Sequence, residues 1–572
     1  MKKILIPFLT VAFGLTLATS CIEEIDPQSS TITKDQAANA PGSYDNFVSG
    51  ITSSLAGTFQ FGAGADKRYP YDYGYPSFYQ MRDVMGQDLV PSFSGHQYST
   101  WYSCGVALGP QYLLCQFPWT YYYSWIKNCN TVLSLAGENP DTDKMSGAGI
   151  AYAMRAMFYM DLARMFANKT YALDKNAETV PIVTEATALS DLATNPRATN
   201  ENMWAFILSD LDKAEQYLAD YQRPDKLTPD KSVVYGLKAR AYLVMEDWEN
   251  AEKYAKLAQA GYQLMGEADY TDSDTGFNTP NSSWMFGLKF KDTDDNILLN
   301  DADSSWGSFM CLEVNGSGCG YASSYGHQFL IDRHLYETTP ETDFRRKCFV
   351  DFQIAELPQN EQLEALEAYT KYPEWIYASG NKEGKGVGGL SLKFRPAKGG
   401  NDNQYLGFLV SVPMMRVEEM YLIEAEAAGM QDESRGIALL TTFAKSRDTS
   451  YTYGKHNESY GNPANSAFQN EVWWQRRIEL WGEGFATFDI KRLNKGVIRS
   501  YPNTNHVEKF RWNSTTPPDW MNLCIVQSET NYNTACTNNP TPIAPTTDSD
   551  EYMWSVSYTH LRDHETEADL VC

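Results

Sequence analysis

The clearest pattern along the chain is a helical repeat of apolar positions. Across residues 117–260, apolar side chains recur every three or four positions, which is the spacing of one face of an α-helix. The stripe in residues 151–166 consists of Met154, Met157, Phe158, Leu162 and Met165. A second stripe fills residues 201–218, and Asn200 before it is a good N-cap. These segments are predicted to be amphipathic helices that pack through their apolar faces.

Residues 232–261 carry a more specific pattern of small and aromatic side chains. The spacing is typical of a tetratricopeptide repeat, with Glu246 and Asp247 at the turn between two antiparallel helices. The positions that fit are Tyr235, Ala239, Tyr242, Ala251, Ala255 and Ala258. One such repeat cannot bury its faces alone, so further copies are expected. Residues 416–429 followed by 434–447 form a weaker second copy.

The character of the chain changes at about residues 266–410. Gly, Asp, Asn and Ser interrupt short apolar runs there, and aromatic residues fall in or beside the resulting loops. A similar aromatic-rich segment occupies residues 69–102. Long loops on a rigid scaffold are where binding sites are usually found. We therefore expect a mostly α protein, with one domain at 41–555 whose tetratricopeptide-like helical scaffold carries a loop-rich, ligand-binding insertion with short strands.

Charge narrows the classes of ligand. The 572 residues include 47 Lys and Arg against 72 Asp and Glu, a formal net charge of −25, and no basic block offsets it. Nucleic acid and anionic lipid surfaces are therefore poor partners. Aromatic residues reach 13%, with 37 Tyr and 14 Trp, many of them in polar surroundings. A neutral or cationic ligand fits this composition better.

The N-terminus reads as a lipoprotein export signal. Lys2 and Lys3 precede an apolar run at 4–17, and residues 17–21 form a lipobox that ends on Cys21. We expect residues 1–20 to be removed, Cys21 to be acylated and residues 21–40 to form a tether. A signal peptide cut after an Ala-x-Ala site is the alternative. The apolar run is too short to span a membrane, so attachment through lipid alone is expected.

Ten cysteines in an exported chain permit disulfides. With Cys21 assigned to lipid, nearest-neighbour spacing suggests three bridges, with other connectivities left open. The suggested pairs are Cys104 with Cys115, Cys311 with Cys319, and Cys524 with Cys536.

The last residues of the chain differ in kind from the rest. Residues 556–566 resemble the translation of a sequencing-library adapter, with Asp563 as the single departure. We therefore treat 556–572 as an artefact and expect the natural part of the chain to end before about residue 556. His560 and His564 lie there at helical metal-pair spacing and receive no metal role.

Residues 471–494 resemble the C-terminal signature of the SusD/RagB family, a family of Bacteroidetes surface lipoproteins. The signature is an Arg-Arg-x-Glu-Leu helix, then Glu-Gly-Phe, then an aromatic-Asp-x-x-Arg turn, and Gln475 replaces its usual leading Glu. The matching residues are Arg476, Arg477, Glu479, Leu480, Glu483, Gly484, Phe485, Asp489 and Arg492. Other family markers occur in the same order at 123–135, 151–166, 180–183 and 196–199. The resemblance covers about residues 21–540.

This resemblance implies a cell-surface protein of the outer membrane that acts as the ligand-capturing lid of a TonB-dependent, SusC-like transporter. The signature itself favours structure over catalysis, because its apolar residues share helical spacing and its charges can pair around them. No cofactor, metal or catalytic residue is expected. Residues 272–276 hint at calcium but lack the ligands of a full loop.

A sugar-binding site needs flat aromatic platforms and polar side chains at their edges. The candidate platforms are Tyr73, Tyr75, Trp101, Tyr102, Trp306, Tyr321 and Tyr325. The candidate edge residues are Arg82, Asp83, Gln87, Asp88, Asn300 and Asn315. For each ring taken singly, a place in the core is the competing interpretation.

These observations predict a lipoprotein that captures oligosaccharide for the transporter. A peptide-binding member of the same family is one alternative. A surface glycoside hydrolase is the other, since aromatic grooves serve both binding and hydrolysis. Hydrolysis needs two carboxylates about 5 to 10 Å apart, and no local motif singles out such a pair.

Overall fold

The computed structural model describes residues 40, 42–57, 69, 71–298, 305–315, 319–383, 385–547 and 550–554. The lipobox with Cys21, the candidate edge residue Asn300 and the suspected adapter at 556–572 lie outside these ranges. Within them, no helix combines the length and apolar character needed to cross a membrane.

Helices dominate the described chain. In order they are α1 (Ser43–Ser53), α2 (Ser77–Val84), α3 (Ser99–Ser103), α4 (Leu113–Ala136), α5 (Thr142–Phe166), α6 (Asn200–Tyr217), α7 (Lys231–Met245), α8 (Trp248–Ala258), α9 (Glu267–Tyr270), α10 (Asp295–Leu298), α11 (Trp306–Met310), α12 (Arg333–Glu337), α13 (Gln359–Leu366), α14 (Pro373–Gly380), α15 (Gln404–Gly407), α16 (Val417–Gln431), α17 (Glu433–Lys445), α18 (Ala467–Glu479), α19 (Ala486–Arg492) and α20 (Gln527–Tyr532). The long helices α4–α8 cover the segment in which the apolar stripes were found. That prediction is confirmed.

Both predicted helical hairpins are present. Glu246 takes a left-handed conformation between α7 and α8, and the side chain of Asp247 caps α8 by accepting the N–H of Asn250. Asp432 separates α16 from α17, and these two helices approach so closely that a Cβ on Gly436 would lie 2.2 Å from the Cα of Gly429. Helix α8 packs against α16, so the two hairpins share one interface. The repeat scaffold is confirmed.

One helix boundary differs from the prediction. Thr199 caps α6 by accepting the N–H of Asn202, and Asn200 is the first helical residue. The amide of Asn200 instead donates to the carbonyls of Lys169 (2.9 Å) and Asp174 (2.8 Å). Its polar side chain therefore fixes a neighbouring loop, which the local sequence does not reveal.

Two small antiparallel sheets connect distant parts of the chain. Strand β1 (Leu89–Pro91) pairs with β3 (Phe329–Ile331), so that Val90 faces Leu330. Strand β2 (Trp284–Lys289) pairs with β4 (Ser411–Arg416). The insertion therefore contains short strands, as predicted. Its strand β3 pairs with β1 and so holds the N-terminal aromatic segment against the insertion.

A cluster of buried charges lies between the insertion and the repeat scaffold. It contains four carboxylates and four cations, which we call the Glu479 cluster: Asp343, Glu418, Glu479, Glu483, Arg345, Lys393, Arg416 and Arg447. Arg416 lies 3.1 Å and Arg447 3.0 Å from the carboxylate oxygens of Glu479. Arg345 is 3.2 Å from the same carboxylate. Such burial is tolerated only because each charge is paired and hydrogen-bonded.

The N-terminal aromatic segment is attached to this centre by further polar contacts. Arg477 pairs with Asp88 at 2.5 Å, and Asp83 accepts the backbone N–H groups of Gly484 (2.9 Å) and Ala486 (3.0 Å). Burial raises the pKa of Asp83 to about 7, although these two donors act in the opposite direction. Helix α2 and strand β1 are thereby fixed to helices α18 and α19.

The suggested disulfides are wrong for the cysteines that the structure describes. Cys104, Cys115, Cys524 and Cys536 are thiols, and Cys311, the proposed partner of Cys319, is a thiol as well. Their side chains act as small buried groups: Cys115 donates its S–H to the carbonyl of Cys524 at 2.6 Å. Burial raises the pKa of the Cys104 thiol to about 12, which leaves it unreactive at neutral pH.

We predict that Glu479→Gln strongly destabilises the protein, because three guanidinium groups lose their shared counter-charge. Breaking a buried pair costs on the order of 3–5 kcal/mol. Chemical denaturation at pH 7 measures this. The control is Glu267→Gln, since Glu267 pairs with Lys347 on the surface, where the change should stay within about 0.5 kcal/mol.

The same cluster predicts a pH dependence. Burial alone would raise the pKa of Glu479, but Arg447, Arg416 and Arg345 outweigh it and hold the pKa well below its usual range. Its contribution is therefore present above the unfolded pKa of about 4.3 and is lost as the pH falls below that value. The parent should lose stability on acidification more steeply than Glu479→Gln. Equal unfolding midpoints at pH 7 would contradict the paired role of Glu479.

Candidate functional site

Most of the predicted sugar platforms belong to the core. Five of the seven rings are at most 4% exposed: Tyr73, Tyr75, Trp101, Tyr102 and Trp306. A ring with so little exposed area has no face for a ligand to stack on. For these five residues the prediction is wrong.

Internal partners explain why these rings lie inside despite their polar surroundings. The hydroxyl of Tyr75 donates to Asp161 at 2.7 Å, and the hydroxyl of Tyr102 is 2.6 Å from Nδ1 of His506. The tryptophans make edge contacts, with Trp306 against Phe394 at a centroid distance of 4.8 Å. Buried phenols need such partners, so polar residues near them in sequence or space do not indicate exposure.

Most of the predicted edge residues are structural too. Arg82 is buried, donates to the carbonyl of Gly484 at 2.9 Å and lies 3.4 Å from Asp161. Asp83 and Asp88 are buried and make the contacts described above, and Gln87 is buried as well. These four side chains hold α2 and β1 in place and are inaccessible to a ligand.

The remaining three candidates are accessible, and two of them, Tyr321 and Tyr325, lie together at one edge of the insertion. Tyr325 is 46% exposed, Asn315 is exposed and Tyr321 is half-buried. Tyr321 lies in a π-helical turn, Gly320–Ser324, whose position is fixed by a hydrogen bond from its N–H to Oγ of Ser308 (2.8 Å). Its ring stacks on the buried Phe309 at 5.0 Å and 6°. The core thus holds Tyr321 rigidly from behind.

The structure adds two aromatic residues that the sequence analysis missed. His327 lies 5.3 Å from the ring of Tyr321, and Phe93 meets His327 edge-on at 4.9 Å and 89°. Tyr325 extends the series on the other side, 5.7 Å from Tyr321. We call Phe93, His327, Tyr321 and Tyr325 the aromatic arc. It is a continuous row of rings, half-buried or exposed, at the surface.

The small β1–β3 sheet brings the two halves of the arc together. Phe93 follows β1 and His327 precedes β3, and Ser92 joins the segments by donating to the carbonyls of Gln328 (3.0 Å) and Gly326 (2.6 Å). More than 230 residues separate Phe93 from its partner His327. The pairing of two such short strands leaves no pattern in the sequence. The contact between Phe93 and His327 could therefore not be predicted.

The arc is electrically neutral at physiological pH. Burial lowers the pKa of His327 to about 4. Burial, together with the nearby His327, holds the pKa of His96 well below its usual range. Both imidazoles are therefore uncharged at pH 7, and His327 presents a neutral aromatic ring that can also hydrogen-bond.

A polar loop at residues 401–408 contacts the segment that carries Tyr321. The N–H of Asn315 donates to the carbonyl of Asn401 at 2.7 Å, and the amide of Asn401 returns a bond to the carbonyl of Glu313 at 2.9 Å. This loop carries Tyr405, which is 41% exposed on α15. The next residue after α15, Phe408, packs its ring over Gly320, where the π-helical turn begins. Asn315, which is exposed, is thus hydrogen-bonded to the same loop whose Phe408 contacts Gly320.

The cavity between α2, β1, α18 and α19 does not compete with this surface. Its volume is about 20 Å³, enough for one water molecule, and its lining includes Asp83, Arg476 and Trp481. In the described ranges no group of His, Cys, Asp and Glu side chains is arranged to hold a metal ion. This cavity is therefore too small to hold a sugar ring.

Two protein-family models match the chain. A family model described as starch-binding associating with outer membrane matches residues 89–243, and the SusD family model matches residues 336–558. The chain belongs to the SusD/RagB family. No curated protein matches the sequence.

Solved structures of SusD-like proteins share the fold. A SusD-like carbohydrate binding protein from Bacteroides vulgatus ATCC 8482 is 23% identical, with a TM-score of 0.66 over 86% of this chain and 97% of that one. Surface glycan-binding protein A from Bacteroides thetaiotaomicron, in complex with laminarihexaose, is 17% identical, with a TM-score of 0.59 over 87% of this chain and 98% of that one. At these identities the likeness establishes the architecture.

The SusD/RagB signature is structural in this member, as the sequence predicted. Glu479 and Glu483 belong to the Glu479 cluster, while Asp489 pairs with both Arg476 and Arg492 at 2.7 Å. Gln475, which replaces the usual Glu, accepts a hydrogen bond from Arg345 at 2.8 Å. Because Arg345 already has two carboxylate partners, a neutral acceptor suffices there.

We predict stability effects of very different size for two rings that the sequence analysis proposed as sugar platforms. Trp306→Ala removes a side chain that is 1% exposed and should cost on the order of 3–5 kcal/mol of unfolding free energy. Tyr325→Ala removes a half-exposed ring and should change it by no more than about 0.5 kcal/mol. Guanidinium denaturation measures both. A similar large loss for Tyr325→Ala would place that ring in the core and remove it from the arc.

Proposed function

We propose that the protein is a cell-surface glycan-binding lipoprotein that captures oligosaccharide and delivers it to a TonB-dependent, SusC-like outer-membrane transporter. The observation that carries the proposal is the aromatic arc: four adjoining rings at the surface, neutral at pH 7. Membership of a family described as starch-binding and outer-membrane associated supports it.

The arc suits the chemistry of a neutral sugar. A pyranose ring offers apolar C–H faces that stack on aromatic rings and hydroxyls that need donors and acceptors at the rim. Tyr321 and Tyr325 supply ring surface together with phenolic hydroxyls, and Asn315 supplies an amide. Because Phe309 already holds Tyr321 in position, binding requires little ordering of the protein.

Binding without turnover is the second part of the proposal. The carboxylates of the family signature are buried in ion pairs, with Glu479 and Glu483 at most 6% exposed. Hydrolysis would need two accessible carboxylates that flank the scissile bond. Surface glycan-binding protein A, which shares the fold, was crystallised with laminarihexaose, so glucans are the first ligands to test.

We predict that the purified mature protein binds at least one of four neutral hexasaccharides: laminarihexaose, maltohexaose, cellohexaose or mannohexaose. Tyr321→Ala and Tyr325→Ala should each weaken that binding by about ten- to a hundredfold, by analogy with the loss of a stacking ring. Isothermal titration calorimetry measures the affinity. The matched control is Tyr532→Ala, which removes an aromatic ring that is 59% exposed on α20.

Each alternative function has its own outcome in this experiment. Sustained release of reducing ends from a bound hexasaccharide would favour the glycoside hydrolase. Binding of unstructured peptides with no binding of any hexasaccharide would favour the peptide-binding alternative. If Tyr321→Ala and Tyr325→Ala bind the glycan as the parent does, the arc is not the site.

Surface display is tested separately through Cys21. We predict that Cys21→Ala folds normally but is lost from the outer membrane, because the acyl chains supply its attachment. Membrane fractionation and protease treatment of whole cells report the location, and an unchanged melting temperature reports the fold. Retention of Cys21→Ala on the cell surface would contradict the lipid anchor.

A further inference from the structure

A second pair of aromatic rings lies at the other end of the helix that supports the arc. Tyr372 caps the N-terminus of α14, and its ring stacks in parallel on Trp375 at 4.1 Å and 2°. Both side chains are half-buried. Because the inner faces of the two rings cover each other, the exposed area belongs to their outer faces and edges.

These two rings do not serve the core as their neighbours do. Tyr369 and Tyr377 pack against a small apolar cluster that contains Leu366 and Ile376, whereas Tyr372 and Trp375 are not among the residues that contact it. The indole N–H of Trp375 is not buried and donates to no group in the described part of the chain. Packing therefore does not account for a flat aromatic pair at this position.

The geometry of α14 places the pair in line with the arc. Tyr372, Trp375 and Ser379 follow a spacing of three and then four residues, which forms one stripe along a helix. Ser379 ends the stripe and contacts the π-helical turn: its hydroxyl donates to the carbonyl of Ala322 at 3.0 Å, and its carbonyl accepts from Gln328 at 2.7 Å. Tyr321 precedes Ala322 in that turn, and Tyr325 directly follows the turn. Helix α14 thus connects the two aromatic groups over its eight residues, about 12 Å at 1.5 Å per residue.

The chain next to the pair is polar and carries an ion pair. Lys371 lies 3.2 Å from Asp274, and Lys398 lies 3.7 Å from the same carboxylate. The backbone N–H of Tyr372 donates to Oγ1 of Thr370 at 3.0 Å, which fixes the start of the helix. Flat rings that directly follow an ion-paired lysine again match a hydroxylated neutral ligand.

We infer that Tyr372 and Trp375 form a second aromatic subsite, and that the ligand is an extended oligosaccharide that runs along α14 from this pair to the arc. The inference rests on the proposed glycan-binding function and deepens it by specifying chain length. On this inference a disaccharide occupies the arc alone. A chain of several sugars contacts both groups and gains affinity from each.

The test compares a hexasaccharide with its own disaccharide. The probes are the four hexasaccharides named above with laminaribiose, maltose, cellobiose and mannobiose. Trp375→Ala should weaken hexasaccharide binding by about tenfold, as expected for one lost stacking ring, and should leave disaccharide binding unchanged. Tyr321→Ala should weaken both. Tyr532→Ala should change neither.

Two further variants separate stacking from packing. Trp375→Phe keeps a flat ring and should retain most of the hexasaccharide affinity, whereas Trp375→Leu keeps apolar bulk without a flat face and should behave as Trp375→Ala does. Melting temperatures close to that of the parent verify the fold of each variant.

The outcomes distinguish this inference from the proposed function. If the parent binds a hexasaccharide and Trp375→Ala and Trp375→Leu bind it equally well, the second subsite is wrong and the proposed function stands. If Trp375→Ala weakens the hexasaccharide and the disaccharide equally, the ring acts on the arc itself and the extended ligand is wrong. If the parent binds none of the probes, both are overturned.

Discussion

The buried Glu479 cluster is the interaction on which the rest of the structure depends. Glu479 ends α18 and is shared by cations from three other segments, at Arg345, Arg416 and Arg447. Removing these charges from water carries a large desolvation cost, which is offset only when all partners are in place. The cluster therefore favours a single arrangement of the insertion relative to the repeat scaffold. The neighbouring pair between Arg477 and Asp88 extends that constraint to the strand β1.

The candidate site is a consequence of this arrangement. Once Asp88 is fixed, β1 can pair only where β3 passes, and this pairing sets Phe93 against His327. Phe309 then supports Tyr321 from the core. The exposed rings are thus held by contacts that lie behind them, while their outer surfaces remain accessible. A rigid scaffold with aromatic loops at one edge is a common arrangement for recognition.

The sequence predicted the scaffold well because helical periodicity and repeat spacing are local signals. Residues 232–261 form the expected hairpin, and the charged signature is buried and paired as expected. Exposure of individual rings is a long-range property. Tyr75 is buried because Asp161, 86 residues away, accepts its hydrogen bond. Phe93 belongs to the arc because the distant strand β3 brings His327 next to it. Neither the Tyr75–Asp161 contact nor the Phe93–His327 contact can be recognised from the residues that neighbour it in sequence.

Hydrogen–deuterium exchange of the mature chain, with and without a saturating hexasaccharide that it binds, tests most directly whether the surface held by this scaffold is the glycan site. Glycan contact with the arc and with the Tyr372–Trp375 pair should slow exchange in residues 92–97, 319–328 and 371–381. Exchange in residues 471–494 should not change, because the signature is buried and already paired. Protection confined to other segments, with these three unchanged, would contradict the assignment of the site.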